Sequence, residues 1–143
     1  MVTYVCDGSE KNGILGAGIV KEKQKNVETF HFTTHDTQTT KHHEYFALMK
    51  TFKLIEEKNE KQVLIYNDDR GLIRMINRKR KKPSMPLTQK LGNIVEQLYQ
   101  RIQELEQKGY TLTLTSTIKP NNKSIYTYHQ QAHNLSRAYL NKK

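Results

Sequence analysis

The chain has 143 residues, with 24 Lys and Arg against 14 Asp and Glu and a formal net charge of +10. That length suits one domain, residues 1–143, and the single Cys excludes a disulfide framework and any zinc site needing two thiolates. The excess positive charge favours a polyanionic partner, but charge alone allows nucleic acid and an anionic membrane surface equally.

Residues 2–7, VTYVCD, form a short apolar, β-branched run, and Gly8-Ser9 is expected to break it. Residues 13–21, GILGAGIVK, make a second strand whose glycines suit close backbone approach; their spacing is not that of a dinucleotide-binding loop. Residues 27–33 are aromatic and β-branched and make a third strand, so the chain opens as an antiparallel meander. Tyr45, Leu48, Met49, Phe52 and Ile55 repeat with helical spacing and predict a helix over 41–58, with a Thr at its N-cap. Residues 62–66, QVLIY, read as a strand buried on both faces, and Asp68-Asp69 could open a short helix, GLIRMIN.

The run Arg78-Lys79-Arg80-Lys81-Lys82, followed by Pro83 and Pro86, reads as a basic loop or helix end. Leu91, Ile94, Val95, Leu98, Ile102 and Leu105 predict a helix over 87–107, capped at Lys108-Gly109. Residues 110–118 alternate as a fifth strand, 119–122 turn, and 129–141 form a last helix. This order predicts an α/β domain: a five-stranded mixed sheet, three antiparallel strands then strand–helix crossovers, with helices on both faces. No stretch is apolar for the ~20 residues a spanning helix needs, and the amino end reads as strand and turn, not signal peptide. The expectation is a cytoplasmic monomer with no membrane partner.

Asp7 closes the first strand, Glu44 lies near the start of the first long helix, and Asp68 follows the fourth strand. If strands one and four are neighbours, the three carboxylates meet. They would repel unless a cation lay between them, and hard oxygen ligands suit Mg²⁺ or Mn²⁺.

These residues resemble the ribonuclease H family. Asp7-Gly8-Ser9 before a glycine-rich strand, Thr39-Thr40-Lys41-His42-His43-Glu44 opening a helix, Ile65-Tyr66-Asn67-Asp68 closing a strand and Ala132-His133-Asn134-Leu135-Ser136-Arg137 all look like its motifs. The resemblance implies a ribonuclease H-like fold and an Asp-Glu-Asp-Asp set holding two Mg²⁺ or Mn²⁺ ions. It also implies hydrolytic cleavage of the RNA strand of RNA–DNA hybrids. Asp7, Glu44 and Asp68 match the first three acids, with Asp7 as the bridging ligand between ions roughly 4 Å apart.

The sequence departs from that pattern at named places. His133 stands at the fourth acid, either as a ligand favouring Mn²⁺ over Mg²⁺ or as a solvated side chain at a helix start. Thr40 stands where the family has Asn, and Asp69 where it has Ser, either as a stand-in ligand or as a helix-opening acid. The loop 119–126 lacks the family's His, for which His129 could substitute; Lys123 or Tyr126 could instead touch the phosphate. His42 reads as exposed, His43 as a packing residue and Cys6 as a buried small hydrophobe.

In ribonuclease H relatives a basic protrusion grips the DNA strand. By that resemblance Arg70, Arg74, Arg78, Lys79, Arg80, Lys81, Lys82 and Lys90, with Thr40, are the nucleic-acid-binding residues; the bland alternative is a solvated turn. Two functional readings stand: a metal-dependent endonuclease acting on RNA–DNA hybrids, catalysed by Asp7, Glu44, Asp68 and His133, or a ribonuclease H-like module that binds hybrid or other duplex nucleic acid with little cutting.

Overall fold

Five strands form one sheet in the order β3-β2-β1-β4-β5 in the computed structural model, which describes residues 1–35, 43–87, 91–119 and 121–141. The strands are β1 (Val2–Lys11), β2 (Ile14–Lys23), β3 (Asn26–His35), β4 (Gln62–Tyr66) and β5 (Thr111–Thr115). The first three pair antiparallel, and β4 and β5 join parallel on the other side of β1. The helices are α1 (His43–Lys58), α2 (Arg70–Lys81), α3 (Gly92–Gln107) and α4 (Lys123–Ser136), with a short 3-10 turn at Ala138–Asn141.

Helices α1, α2 and α3 bury one face of the sheet. Tyr4, Ile19 and Ile65 meet Leu48, Phe52, Ile55, Leu72, Ile76, Leu98 and Ile102 there in one core. Full burial of each such side chain contributes about 1.5–3 kcal/mol. Helix α4 covers the opposite face of β1 and β2.

Two glycines set how close the helices come. A Cβ on Gly8 would sit 2.2 Å from the His43 carbonyl oxygen, and one on Gly18 would sit 2.0 Å from that of Ala132. Only hydrogen fits at either place, so α1 presses on β1 from one side and α4 on β2 from the other.

That contact corrects the expected end of the first strand. Gly8-Ser9 does not break β1; pairing continues to Lys11, and the reversal is an Asn12-Gly13 turn with both residues at positive φ. Three other boundaries move. The last helix starts at Lys123 rather than 129, capped by Asn122, whose Oδ1 accepts from the Ile125 amide, and it ends at Ser136. Helix α3 starts at Gly92, not 87, and β5 stops at Thr115, not 118. The basic run is a helix end: Arg78–Lys81 are the last turn of α2. The expected Thr N-cap at 39–40, Lys41, His42 and Lys90 lie outside the described residues.

Among the described residues the outer edge of β5 has no strand neighbour. Its carbonyls are met by side chains of α2 instead: Asn77 Nδ2 donates to Leu114 O at 3.0 Å, and an Arg80 guanidinium nitrogen donates to Leu112 O at 2.8 Å.

Candidate active site

The β1–β4 ladder ends at Val5–Tyr66, but β1 runs on, so Asp7 lies just past the point where β4 turns away through Asn67 and Asp68. Helix α1, held against Gly8, lowers Glu44 into the same corner. Glu44 Oε1 accepts from the Gly8 amide at 2.8 Å and from Asn67 Nδ2 at 3.1 Å. Asn67 Nδ2 also reaches Cys6 O at 3.3 Å, so this fully buried amide ties β1, α1 and the end of β4 together.

Asp7 faces α4. Its Oδ2 takes His133 Nδ1 at 3.0 Å and the Ser136 hydroxyl at 3.4 Å. One turn earlier on α4, His129 Nε2 lies 3.1 Å from Asp68 Oδ2. The carboxylates differ in exposure: the Asp7 side chain is 6 % exposed and that of Asp68 45 %.

Burial and crowding govern their protonation. Burial raises the Asp7 pKa, and the Asp68 charge adds to it. Glu44 is pushed up to about 9, first by burial and then by Asp7. Asp68 is lowered, chiefly by its contact with His129 and further by a hydrogen bond with Glu44. His129 is raised by the same contact with Asp68. Cys6, buried behind this corner, is pushed up to about 12 by desolvation, which makes it a packing residue rather than a nucleophile.

Ligand atoms of Asp7, Asp68 and His129 all lie within 4.8 Å of one another, a spacing that could hold one metal ion. His129 Nε2 is shut off from solvent, and no hydrogen bond is formed to it among the described residues, although Asp68 Oδ2 is near; the two atoms are close without being aligned for proton sharing. A buried imidazole nitrogen grouped with two carboxylates fits a divalent cation. His133 is in the last turn of α4, not at a helix start, and it bonds to Asp7. Asp69 is not in the cluster: it is the N-cap of α2, accepting from the Leu72 amide at 3.1 Å. Three contributors were not singled out from sequence: Asn67 and Ser136, which lie within quoted motifs, and His129 as a partner of Asp68. Four-residue spacing between His129 and His133 was the available signal.

Beside the acids, Gly8, Ser9, Glu10, Lys11, His43 and Arg137 border a cavity of about 350 Å³. Lys123 and Tyr126 are exposed in the first turn of α4. On α2, Arg70, Arg74, Arg78 and Lys81 are exposed, as is Lys82 beyond it. At intervals of four and three residues, the four on α2 line one face of the helix. Lys79 and Arg80 turn inward: Lys79 donates to Pro83 O and pairs with Glu96 at 3.6 Å, and Arg80 pairs with Glu106 at 3.7 Å. Thr40 and Lys90 lie outside the described residues.

No protein-family model matches the chain, and no curated protein sequence matches it. Solved structures do. Ribonuclease H1 from the halophilic archaeon Halobacterium salinarum is 14 % identical with a TM-score of 0.69, covering 97 % of this chain and 96 % of that one. LC11 ribonuclease H1, isolated from compost by a metagenomic approach, is 12 % identical with a TM-score of 0.65 over 98 % and 99 %. The amino-terminal ribonuclease H domain of a Mycobacterium tuberculosis protein is 15 % identical with a TM-score of 0.62 over 94 % and 98 %. Agreement at such low identity is agreement of backbone, strand order and helix placement, and it gives this chain a ribonuclease H-like fold.

Proposed function

We propose that this domain is a divalent-cation-dependent endonuclease that hydrolyses the RNA strand of RNA–DNA hybrids. One observation carries the reading. Asp7, Glu44 and Asp68 converge from β1, α1 and the end of β4, and among the described residues no Lys or Arg pairs with any of them. Three carboxylates so placed destabilise one another unless a cation joins them or one keeps its proton, as the raised Glu44 does without a cation. Two similar structures support the substrate class: LC11 ribonuclease H1 and a foamy viral protease–reverse transcriptase were each solved in complex with RNA/DNA hybrid.

Asp7, Glu44 and Asp68 would hold the cation. Bound there, it would neutralise them, acidify a water and grip the oxygens of the scissile phosphate. The chain itself supplies orientation. Asn67 and the Gly8 amide fix Glu44, while His133 and Ser136 fix Asp7. The exposed basic row on α2 starts one residue beyond Asp69 and supplies phosphate contacts that position a duplex without reading its sequence.

A second reading has its own support. His129 and His133 each sit on one carboxylate, which would neutralise part of the cluster from within and suit a module that binds hybrid without cutting it. A labelled hybrid incubated in Mg²⁺ or Mn²⁺ with wild type and Asp68→Asn separates the two. Cleavage by wild type that the variant loses supports the nuclease. Retained hybrid binding with no cleavage in either metal selects the binding module.

A further inference from the structure

We propose that His129 supplies a nitrogen ligand to the cation held by Asp7 and Asp68, that His133 is a positioning residue for Asp7, and that the site therefore takes a first-row transition dication such as Mn²⁺ in preference to Mg²⁺. This rests on the metal-site reading above and adds what kind of ion it selects.

The two histidines are one turn apart on α4, so both face β1 and the end of β4. Their chemistry differs. His133 Nδ1 is engaged with Asp7 Oδ2 at 3.0 Å, and the Ser136 hydroxyl falls on that same oxygen, a pairing that orients the carboxylate. Metal-binding carboxylates and imidazoles are commonly steered by such partners.

His129 has no comparable bond. Its Nε2 is inaccessible to solvent and short of full hydrogen-bond geometry, its near polar neighbour being Asp68 Oδ2 at 3.1 Å, with Asp7 in the same 4.8 Å group. At bond lengths of about 2.1 Å, cis ligands of an octahedral ion lie ~3.0 Å apart and trans ligands ~4.2 Å apart. The 3.1 Å between His129 Nε2 and Asp68 Oδ2 matches a cis pair, and Asp7 lies with them in a group no wider than 4.8 Å. A buried imidazole nitrogen and a carboxylate this near can share a cation in place of a proton.

Mixed imidazole and carboxylate donors change the preference of the site. Mg²⁺ favours oxygen ligands and water, whereas imidazole binds the later divalent metals better. Replacing one oxygen by His129 Nε2 should therefore cost Mg²⁺ affinity and spare Mn²⁺.

Electron spin-echo modulation of Mn²⁺ bound to the substrate-free protein reads the ligand directly, because a coordinated imidazole nitrogen modulates the echo. The expected result is nitrogen modulation in wild type, lost in His129→Gln and kept in His133→Gln. By calorimetry, Mn²⁺ binding should weaken at least ~10-fold in both variants, since oriented ligand shells lose about 10–100-fold when a partner is removed; Mg²⁺ binding should barely respond to His129→Gln. Circular dichroism and melting check the fold, and His129→Asn replaces the Gln variant if that one does not melt cooperatively. Absence of nitrogen modulation in wild type, its survival in the His129 variants, or its loss in His133→Gln alone overturns the assignment. Hybrid cleavage is scored separately. A protein that cuts without nitrogen coordination keeps the nuclease and loses this inference, and one that binds Mn²⁺ through His129 without cutting does the reverse.

Discussion

Two buried carboxylates near opposite ends of β1 have been treated in opposite ways. Glu60 and Glu44 are each 6 % exposed. Glu60 accepts from the Tyr4 hydroxyl at 2.6 Å and pairs with Lys21 Nζ at 2.7 Å, and Lys21 also lies 3.5 Å from Glu28. Tyr4 and Lys21 are direct partners in the β1–β2 register, so the acid is neutralised by residues the sheet already holds side by side. Glu44 has amides instead of a cation, and its charged neighbours are two more acids. This fold can close a buried carboxylate on itself when nothing more is asked of it. Where it does not, the proposed function has a bound cation supply the missing charge.

The sharpest way to break that contrast is to remove one member from each cluster. Asp7→Asn should lower hybrid cleavage by ~10³-fold or more, because several kcal/mol of transition-state stabilisation depend on the cation site. Its urea midpoint without metal should stay at or above that of wild type, since a repelling charge has gone. A drop in stability would mean the acids support the fold. Lys21→Met should do the opposite, costing about 3–5 kcal/mol in urea titrations by stranding Glu60, and leaving cleavage per folded molecule unchanged.

A pH series sharpens it further. Glu44 is raised in the folded chain from 4.5 to about 9, so the metal-free protein gains stability from its protonated form below pH 4.5. That contribution is lost as pH rises through 9. Asp68 shifts the other way, but its contribution is complete well below neutrality. Midpoints measured between pH 5 and 9 should therefore fall in the absence of metal, fall less steeply in Glu44→Gln, where the raised Asp7 and His129 still contribute, and recover with Mn²⁺. The smallest expected effect concerns cations. Lys21 has its acid, while Arg78, Lys81 and Lys82 pair with none among the described residues. Replacing those three with Ser should reduce the log–log salt slope of duplex binding by about 3, and an unchanged slope would return them to a solvated helix end.

Much of this was legible in sequence, and the reasons for the rest are physical. The apolar spacing of α1 and the run of β4 depend on local pattern, and both were read close to their bounds. The meeting of Asp7, Glu44 and Asp68 followed from placing β1 beside β4. The continuation of β1 through Gly8 did not: a glycine that looks like a turn locally is there because His43 crosses it from another part of the chain. The first half of α4 was missed because Ile125 is its only buried side chain before Ala132, too weak a stripe to register. With the helix started at 129, His129 looked like a terminal residue; started at Lys123, it shares a face with His133. The inward turn of Lys79 and Arg80 was recoverable by carrying the period of Leu72, Ile73 and Ile76 one turn further.

The grip of Asn77 and Arg80 on the outer carbonyls of β5 has a consequence for how the molecule behaves in a crowd. An unpaired strand edge is a template on which a second chain can add. Here two helical side chains occupy the places a sixth strand would take. Arg80 belongs to a run in which Arg78, Lys81 and Lys82 face solvent, so neutralising the whole run would also uncover this edge. Variants made that way should grow larger with time and concentration, and sparing Arg80 should keep them dispersed.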